Sequence, residues 1–229
     1  MSGEVVAAKE LVAEAGRMLA TAGLIDYLGH VSVRTQAGAV IKPRHSTSIR
    51  SASRLGAEHM VEVDHDGRLI GGGEPPPSEV FIHTEIYRAR PDVNAVVHTH
   101  QRAAVLLGVL ERPPLPLLHV AGSYVDDVRL WPHASLVSTP ELAADLAVAL
   151  GDASFCQLQG HGVVVVAATM QEAVVKAFLL EDLAAANLEV LATGLPPRVI
   201  PDDELAELRR LRGGIDGRWE YLREQFGGV

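Results

Sequence analysis

Apolar positions recur at two periods along this chain, and the switches between them predict its elements. Over residues 4–22, Val5, Ala8, Leu11, Val12, Ala15, Leu19 and Ala22 recur at helical spacing, and Gly23 supplies a stop. Short β-type runs follow at His30-Val31-Ser32-Val33-Arg34 and Ala39-Val40-Ile41-Lys42, the second closed by Pro43. Met60-Val61-Glu62-Val63, a turn at Asp64-His65-Asp66-Gly67 and a return strand read as a hairpin. The Gly- and Pro-rich loop 71–77 leads to Ser78, a good N-cap for a helix from Glu79 to about Ala89, which Pro91 ends. The apolar run Val93-Asn94-Ala95-Val96-Val97 then reads as a buried strand.

Downstream, the pattern predicts a short helix to about Val109, a Pro-rich segment at 113–116 and a strand over 117–120. Thr139-Pro140-Glu141 caps a helix to Leu150, and strands at 154–158 and 163–166 flank the turn Gly160-His161-Gly162. A long helix spans 169–192, with Ala173, Ala177, Leu180, Ala184, Leu188 and Leu191 on one face, and a charged amphipathic helix covers 203–225. Without repeats, low-complexity blocks or a linker, residues 1–229 read as a single α/β domain, its strands joined mostly by hairpins and its helices on the faces.

Composition narrows the class of chain. An apolar fraction of 48% beside 21% charged residues is ordinary for a globular protein with a sizeable core. The formal charge of -9, with no Lys/Arg cluster, argues against a nucleic-acid partner. No apolar run approaches the length of a membrane span and no signal-peptide pattern opens the chain, so a cytoplasmic location without membrane contact is expected. One cysteine, Cys156, precludes an internal disulfide and falls in a predicted buried strand, where a thiol is inert.

His98 and His100 carry the candidate chemistry. Residues at i and i+2 project from the same side of a strand, and here they stand where an apolar strand emerges. Two imidazoles on rigid backbone suit a divalent metal, with other ligands from elsewhere and a position left open for substrate. Read alone, such a pair is as readily two strand-end histidines satisfied by hydrogen bonds. Glu79, at a helix start, read alone favours the helix dipole.

Five ordered motifs change that balance: Gly29-His30-Val31-Ser32-Val33-Arg34, Pro77-Ser78-Glu79, Tyr87-Arg88-Ala89-Arg90-Pro91, Val97-His98-Thr99-His100 and Gly160-His161-Gly162. In order and spacing they resemble the class II aldolase/adducin N-terminal domain family over nearly the whole chain. The resemblance implies a three-layer α/β/α sandwich around a largely antiparallel sheet, assembled as a homotetramer with active sites at subunit interfaces. It also implies one divalent ion per subunit (Zn, Mn, Fe or Co) on His98, His100 and His161, with Glu79 as catalytic acid/base. Adducin-like members lack the ligands; their presence here favours an enzyme over a binding module.

Departures from the family pattern bear on substrate. Where phosphosugar aldolases of the family carry Gly-Asn, a Thr-Pro-Ser-Gly-like turn and Ser-Ser before the Glu, this chain has Gly29-His30, Pro43-Arg44-His45-Ser46 and Pro77-Ser78. Imidazoles and a guanidinium in place of small donors suit a carboxylate or phenolate better than a phosphate. His30, Arg44, His45 and Ser78 are thus expected to bind substrate, whereas Arg34 reads as a surface salt bridge. His119, nineteen residues after His100, stands where the aldolases place a catalytic tyrosine from a neighbouring subunit; it reads equally as a buried strand histidine. Tyr124 and Tyr221 are lesser candidates for that hydroxyl. His83 belongs to the helix after Glu79, and His59, His65 and His133 read as surface groups.

The family's decarboxylases of hydroxylated aromatic or pyridine dicarboxylates resemble this chain in carrying Gly-His-Val-Ser. The expected activity is therefore a metal-dependent carbon–carbon lyase that decarboxylates such an acid, a small-molecule carboxylate, with Arg44 gripping its second carboxylate. The alternatives are an aldolase cleaving a sugar phosphate or keto-deoxy acid and, last, a non-catalytic adducin-like module.

Overall fold

The computed structural model describes residues 3–46 and 51–227. The period-two runs pair into one sheet of eight strands: β1 (His30–Thr35), β2 (Gly38–Ile41), β3 (Val61–Asp64), β4 (Leu69–Gly71), β5 (Ala95–Thr99), β6 (Val128–Trp131), β7 (Phe155–Leu158) and β8 (Gly162–Ala167). In space they run β4-β3-β2-β1-β5-β8-β7-β6. Every neighbouring pair is antiparallel except β6 with β7; short hairpins join β1 to β2, β3 to β4 and β7 to β8, and longer crossings bring the other neighbours together.

Strand alternation splits the core into two layers. Val97 of β5 and Val163 and Val165 of β8 pack toward α1 (Gly3–Thr21), α3 (Arg102–Val109) and α6 (Met170–Ala192). Val96, Val164 and Val166 point the other way, toward α2 (Val80–Ala89) and α5 (Pro140–Leu150). The result is the expected α/β/α sandwich. Side chains at even positions of β1 and β5 (30, 32, 96, 98) share the α2 side, and this parity decides where the chemistry lies. Glu181 of α6 accepts from the Ala103 and Ala104 amides, which holds the start of α3 directly behind the histidine-bearing strand end.

Three sequence expectations fail here. Residues 117–120 form no strand: His119 begins a helical turn, α4 (His119–Tyr124), closed by the Gly122 amide on the Leu118 carbonyl at 2.8 Å. The sheet edge is occupied instead by β6, which the sequence reading passed over and which pairs in parallel with β7, Val128 opposite Phe155. The predicted tail helix is two, α7 (Asp202–Leu211) and α8 (Asp216–Phe226), broken at Gly213-Gly214, where the Tyr124 hydroxyl bonds the Gly213 carbonyl. Ser78 does not cap α2; the Val80 amide turns back onto the Pro77 carbonyl, leaving Glu79 at the N-cap position with no side-chain cap. Among the described residues, no helix is long and apolar enough to cross a membrane.

Candidate metal centre

The sheet register brings the histidines together. Antiparallel pairing of β1 with β5 sets His30 opposite His98, and β8 lies on the other side of β5 with Val164 opposite His98. The turn between β7 and β8 carries His161 to the same edge, and the start of α2 brings Glu79 over it. Glu79, His98, His100 and His161 each offer one ligand atom, all within 4.8 Å of one another. The Nε2 atoms of His98 and His100 are 3.2 Å apart. Two nitrogens on a tetrahedral ion at about 2.0–2.1 Å stand about 3.3–3.4 Å apart. Glu79 places Oε2 3.7 Å from His98 Nε2 and Oε1 3.6 Å from His161 Nε2.

Gly162 shows how tightly the backbone wraps this cluster. A Cβ there would come within 2.6 Å of the Thr99 carbonyl oxygen and 2.9 Å of ring carbons of both His98 and His100. No other residue fits without displacing the two imidazoles.

The electrostatics suit a cation. His98 Nδ1 donates to the Val163 carbonyl at 3.1 Å, which fixes its tautomer and leaves Nε2 bare toward the cluster. Burial holds His98 well below the ordinary histidine range, reinforced by neighbouring His30, so its ligand form is the neutral one. Burial likewise lowers His100. Burial alone would raise the Glu79 carboxyl, but the histidines around it, His161 and His30 first and then His98, outweigh it, and Glu79 is held far below the carboxylate range. The Val137 amide also donates to its Oε1 at 2.8 Å. An ionised carboxylate beside bare imidazole nitrogens is the donor set a divalent ion takes.

The cluster opens into a cavity of about 490 Å³. Lys42, Arg44, His45, Ser78 and His30 line it together with Glu79, His100 and His161. Lys42 is 2% exposed, and its one hydrogen bond among the described residues is a long 3.4 Å contact to the neighbouring Pro43 carbonyl. Burial draws its ammonium down from 10.5 to about 8. His45 stacks on Tyr27, ring centroids 4.2 Å apart, and its buried Nε2 has no partner among the described residues. Arg44 is exposed, its side chain at the cavity rim.

The structure therefore gathers Glu79, His98, His100, His161, His30, Arg44, His45 and Ser78 around one cavity. His119 is not there. It is exposed and lines a separate groove with Ile200, Asp203 and Glu204, so the buried-strand reading of that residue falls with the strand. Among the described residues Arg34 makes no salt bridge; it donates to the Tyr87, Val93 and Arg90 carbonyls and lies over the Tyr87 ring at 4.6 Å, tying β1 to the end of α2. Tyr124 is buried against the α7–α8 break, and Tyr221 is exposed on α8. Cys156 is buried as expected, its thiol pushed up to about 12 by desolvation.

Sequence reasoning missed two features of this region. Lys42 was read only as the end of a strand, although a lysine closing an otherwise apolar run before a proline was the available signal. His83 was placed on α2 without a role, yet it is fully buried and bonds His30 at 2.6 Å. Its position four residues before Tyr87, on one helix face, could have marked it.

Residues 10–188 match the family model for the class II aldolase and adducin N-terminal domain. The chain belongs to this family. It is 33% identical over 228 residues to a 3,4-dihydroxyphthalate decarboxylase of Arthrobacter keyseri, covering 95% of this chain and 92% of that protein. It is 35% identical over 180 residues to an L-fuculose phosphate aldolase of Escherichia coli, covering 78% and 80% of the two chains. The solved structure of an aldolase II superfamily protein from Pseudomonas syringae superposes with a TM-score of 0.86 at 20% identity, over 99% of this chain and 94% of that one, and shows the shared fold. With these relatives, the chain is an enzyme of the lyase class.

Proposed function

We propose that this lyase decarboxylates a hydroxylated aromatic dicarboxylic acid of the dihydroxyphthalate or hydroxypyridine dicarboxylate type. One divalent ion (Zn, Mn, Fe or Co) is held per subunit by His98, His100 and His161. The observation that carries the reading is the basic part of the same cavity lining. Lys42, Arg44 and His45, whose Nε2 has no partner among the described residues, place two cations and an imidazole in the cavity that Glu79, His100 and His161 also line, a surface for a second anionic group on the same small molecule. Relatives named as 3,4-dihydroxyphthalate decarboxylases, matched over nearly the full length of both chains, support it.

When bound, the metal supplies Lewis-acid stabilisation of the negative charge left as the carbon–carbon bond breaks. The residues do the rest. Arg44 grips the carboxylate that stays, through two parallel hydrogen bonds, and Lys42 and His45 position it from the cavity floor. Glu79, ionised and held by the Val137 amide, orients the histidine cluster and sits within reach of a proton moving to or from the substrate. Ser78 adds a hydroxyl donor at the rim.

The same reading takes the whole chain as one functional domain, working in the cytoplasm as a homotetramer with its sites at subunit interfaces. Tyr27, Leu28 and Leu136, at 62%, 56% and 57% exposure, line the cavity mouth and give an apolar margin for a neighbour. His119 then acts in the site of an adjacent subunit. A second reading, aldol cleavage of a sugar phosphate, is favoured by Ser78, which with Arg44 and Lys42 also offers a phosphate its donors.

The test is to purify the protein without added metal, measure bound metals by elemental analysis, and assay CO₂ release from hydroxylated phthalates, pyridine dicarboxylates and hydroxybenzoates. Near-stoichiometric metal with chelator-sensitive CO₂ release is the expected result. Stoichiometric metal with aldehyde release from a phosphosugar and no CO₂ would establish the second reading instead.

A further inference from the structure

A hydrogen-bonded chain runs from the cavity wall into the layer between β1 and α2. His30 and Ser32 lie two apart on β1, and His83 and Tyr87 lie four apart on α2, so two matched pairs of side chains meet where the sheet and helix pack. His30 Nδ1 contacts His83 Nε2 at 2.6 Å, and His83 Nδ1 contacts Ser32 Oγ at 2.6 Å. Ser32 Oγ contacts the Tyr87 hydroxyl at 2.7 Å, and that hydroxyl donates to the Ser32 carbonyl at 3.0 Å. Ser32 and His83 are both 0% exposed, so the protons in these contacts come from the four side chains themselves.

Counting those protons gives the chain a direction. The Ser32 carbonyl only accepts, so the contact to it takes the Tyr87 proton. The Tyr87 oxygen then accepts from the Ser32 hydroxyl, and Ser32 Oγ in turn accepts from His83 Nδ1. A neutral His83 with its proton on Nδ1 is bare at Nε2, so the 2.6 Å contact is filled by a proton on His30 Nδ1. Each contact receives one proton and none is left over. The reverse direction sets the Tyr87 hydroxyl oxygen and the Ser32 carbonyl oxygen 3.0 Å apart with no proton between them. Arg34 holds the far end in place, lying over the Tyr87 ring and donating to its carbonyl.

We propose that Tyr87, Ser32 and His83 are positioning residues that hold His30 in its Nδ1–H tautomer, so that its bare Nε2 faces the cavity as the acceptor for a substrate hydroxyl. His30 Nε2 stands 3.8 Å from Glu79 Oε2. Two acceptors then face each other across a gap that neither can fill, and a hydroxyl proton fills it. His30 is thereby a reader of the hydroxyl rather than a cation for a carboxylate, which leaves the carboxylate to Lys42 and Arg44. This deepens the proposed function and rests on it only for the identity of the hydroxyl-bearing acid.

The experiment is ¹⁵N NMR of the zinc-loaded full chain with labelled histidine, the His30 signals identified by their loss in His30→Asn. The expected result is a protonated Nδ1 and a bare Nε2. Tyr87→Phe removes the donor at the end of the chain and frees the Ser32 hydroxyl to turn to His83, so His30 shifts toward its Nε2–H form. Ser32→Ala breaks the same chain one link earlier and serves if Tyr87→Phe does not fold. With metal content unchanged, either variant also raises KM for the hydroxylated acid by about tenfold, the scale of one hydrogen bond, while an O-methylated analogue, already bound poorly, changes little. An Nε2–H tautomer in the wild-type protein overturns the proposal. So does a His30 tautomer that the variants leave untouched. Because the tautomer is read without substrate, it is decided even if no acid tested is decarboxylated.

Discussion

The two walls of the cavity are built on opposite principles. On the metal side, Glu79 is bonded by the Val137 amide and His98 by the Val163 carbonyl, so the cluster stands ready with its ligand atoms converging. On the basic side, His45 Nε2 has no partner among the described residues, and among them the buried Lys42 ammonium has one long hydrogen bond and the charge of Asp26. The first wall is held by strand register, its ligand atoms converging as a cation would need. The second is held by a strand end and a proline turn, and a buried charge left so costs stability unless an anion meets it. Within the first wall there is a further contrast: His98 has its Nδ1 anchored, whereas His161 Nδ1 is buried with no partner among the described residues. His98 is thus the ligand whose removal does most harm.

Breaking the first wall gives the largest effects. His98→Ala loses metal in elemental analysis, by more than the roughly 10–100-fold in affinity that loss of a supporting hydrogen bond brings, and turnover falls with it. Glu79→Gln keeps metal but lowers kcat by about 10²–10⁴-fold, as loss of a positioned acid/base group does. Breaking the second wall separates binding from stability. Lys42→Met raises KM for a dicarboxylate by about tenfold or more, yet raises Tm. Lifting a shift from 10.5 to about 8 returns up to about 3 kcal/mol, because the buried site disfavours the charged form the lysine carries at neutral pH. Equal or lower Tm in Lys42→Met would mean the ammonium is already satisfied. Arg44→Ala is milder, a KM increase of about fivefold with Tm unchanged, since the side chain is exposed and screened.

The smallest effect is a pH trend in metal-free protein. Burial, then the charge of His30, holds His83 well below 6.5, and burial lowers His30 itself. Their folded values lie below the unfolded one, so their contribution is fully present above about pH 6.5 and is lost as pH falls through the folded values. Urea melts of the metal-free protein at pH 7.5 and 5.5 check this: stability drops at the lower pH, and His83→Gln flattens the drop.

How much of this was legible in the sequence follows the same division. The metal side was readable because a strand fixes side-chain direction every two residues, so His98 and His100 had to converge, and the Gly160-His161-Gly162 turn signalled close backbone approach. The basic side and the layer behind it were less so. Lys42 closes an apolar run before Pro43, which marks it as unusual, but the cavity that its ammonium lines is made by distant segments. Pairing His30 with His83 takes a sheet-to-helix packing that no local pattern states. Residues 117–120 look extended because Leu117, Leu118 and Val120 are apolar, but α6 and α7 pack over them and reward a helical turn. The tail helix read as continuous because its charged periodicity runs across Gly213-Gly214, where tertiary bonding ends it.

The most direct test of the central claim is CO₂ release from a dihydroxyphthalate by metal-loaded protein, measured before and after complete removal of the metal and again on its return. The account predicts release that vanishes with the metal and recovers with it. Release that survives complete metal removal, or none from any hydroxylated aromatic dicarboxylate by fully loaded protein, would contradict it.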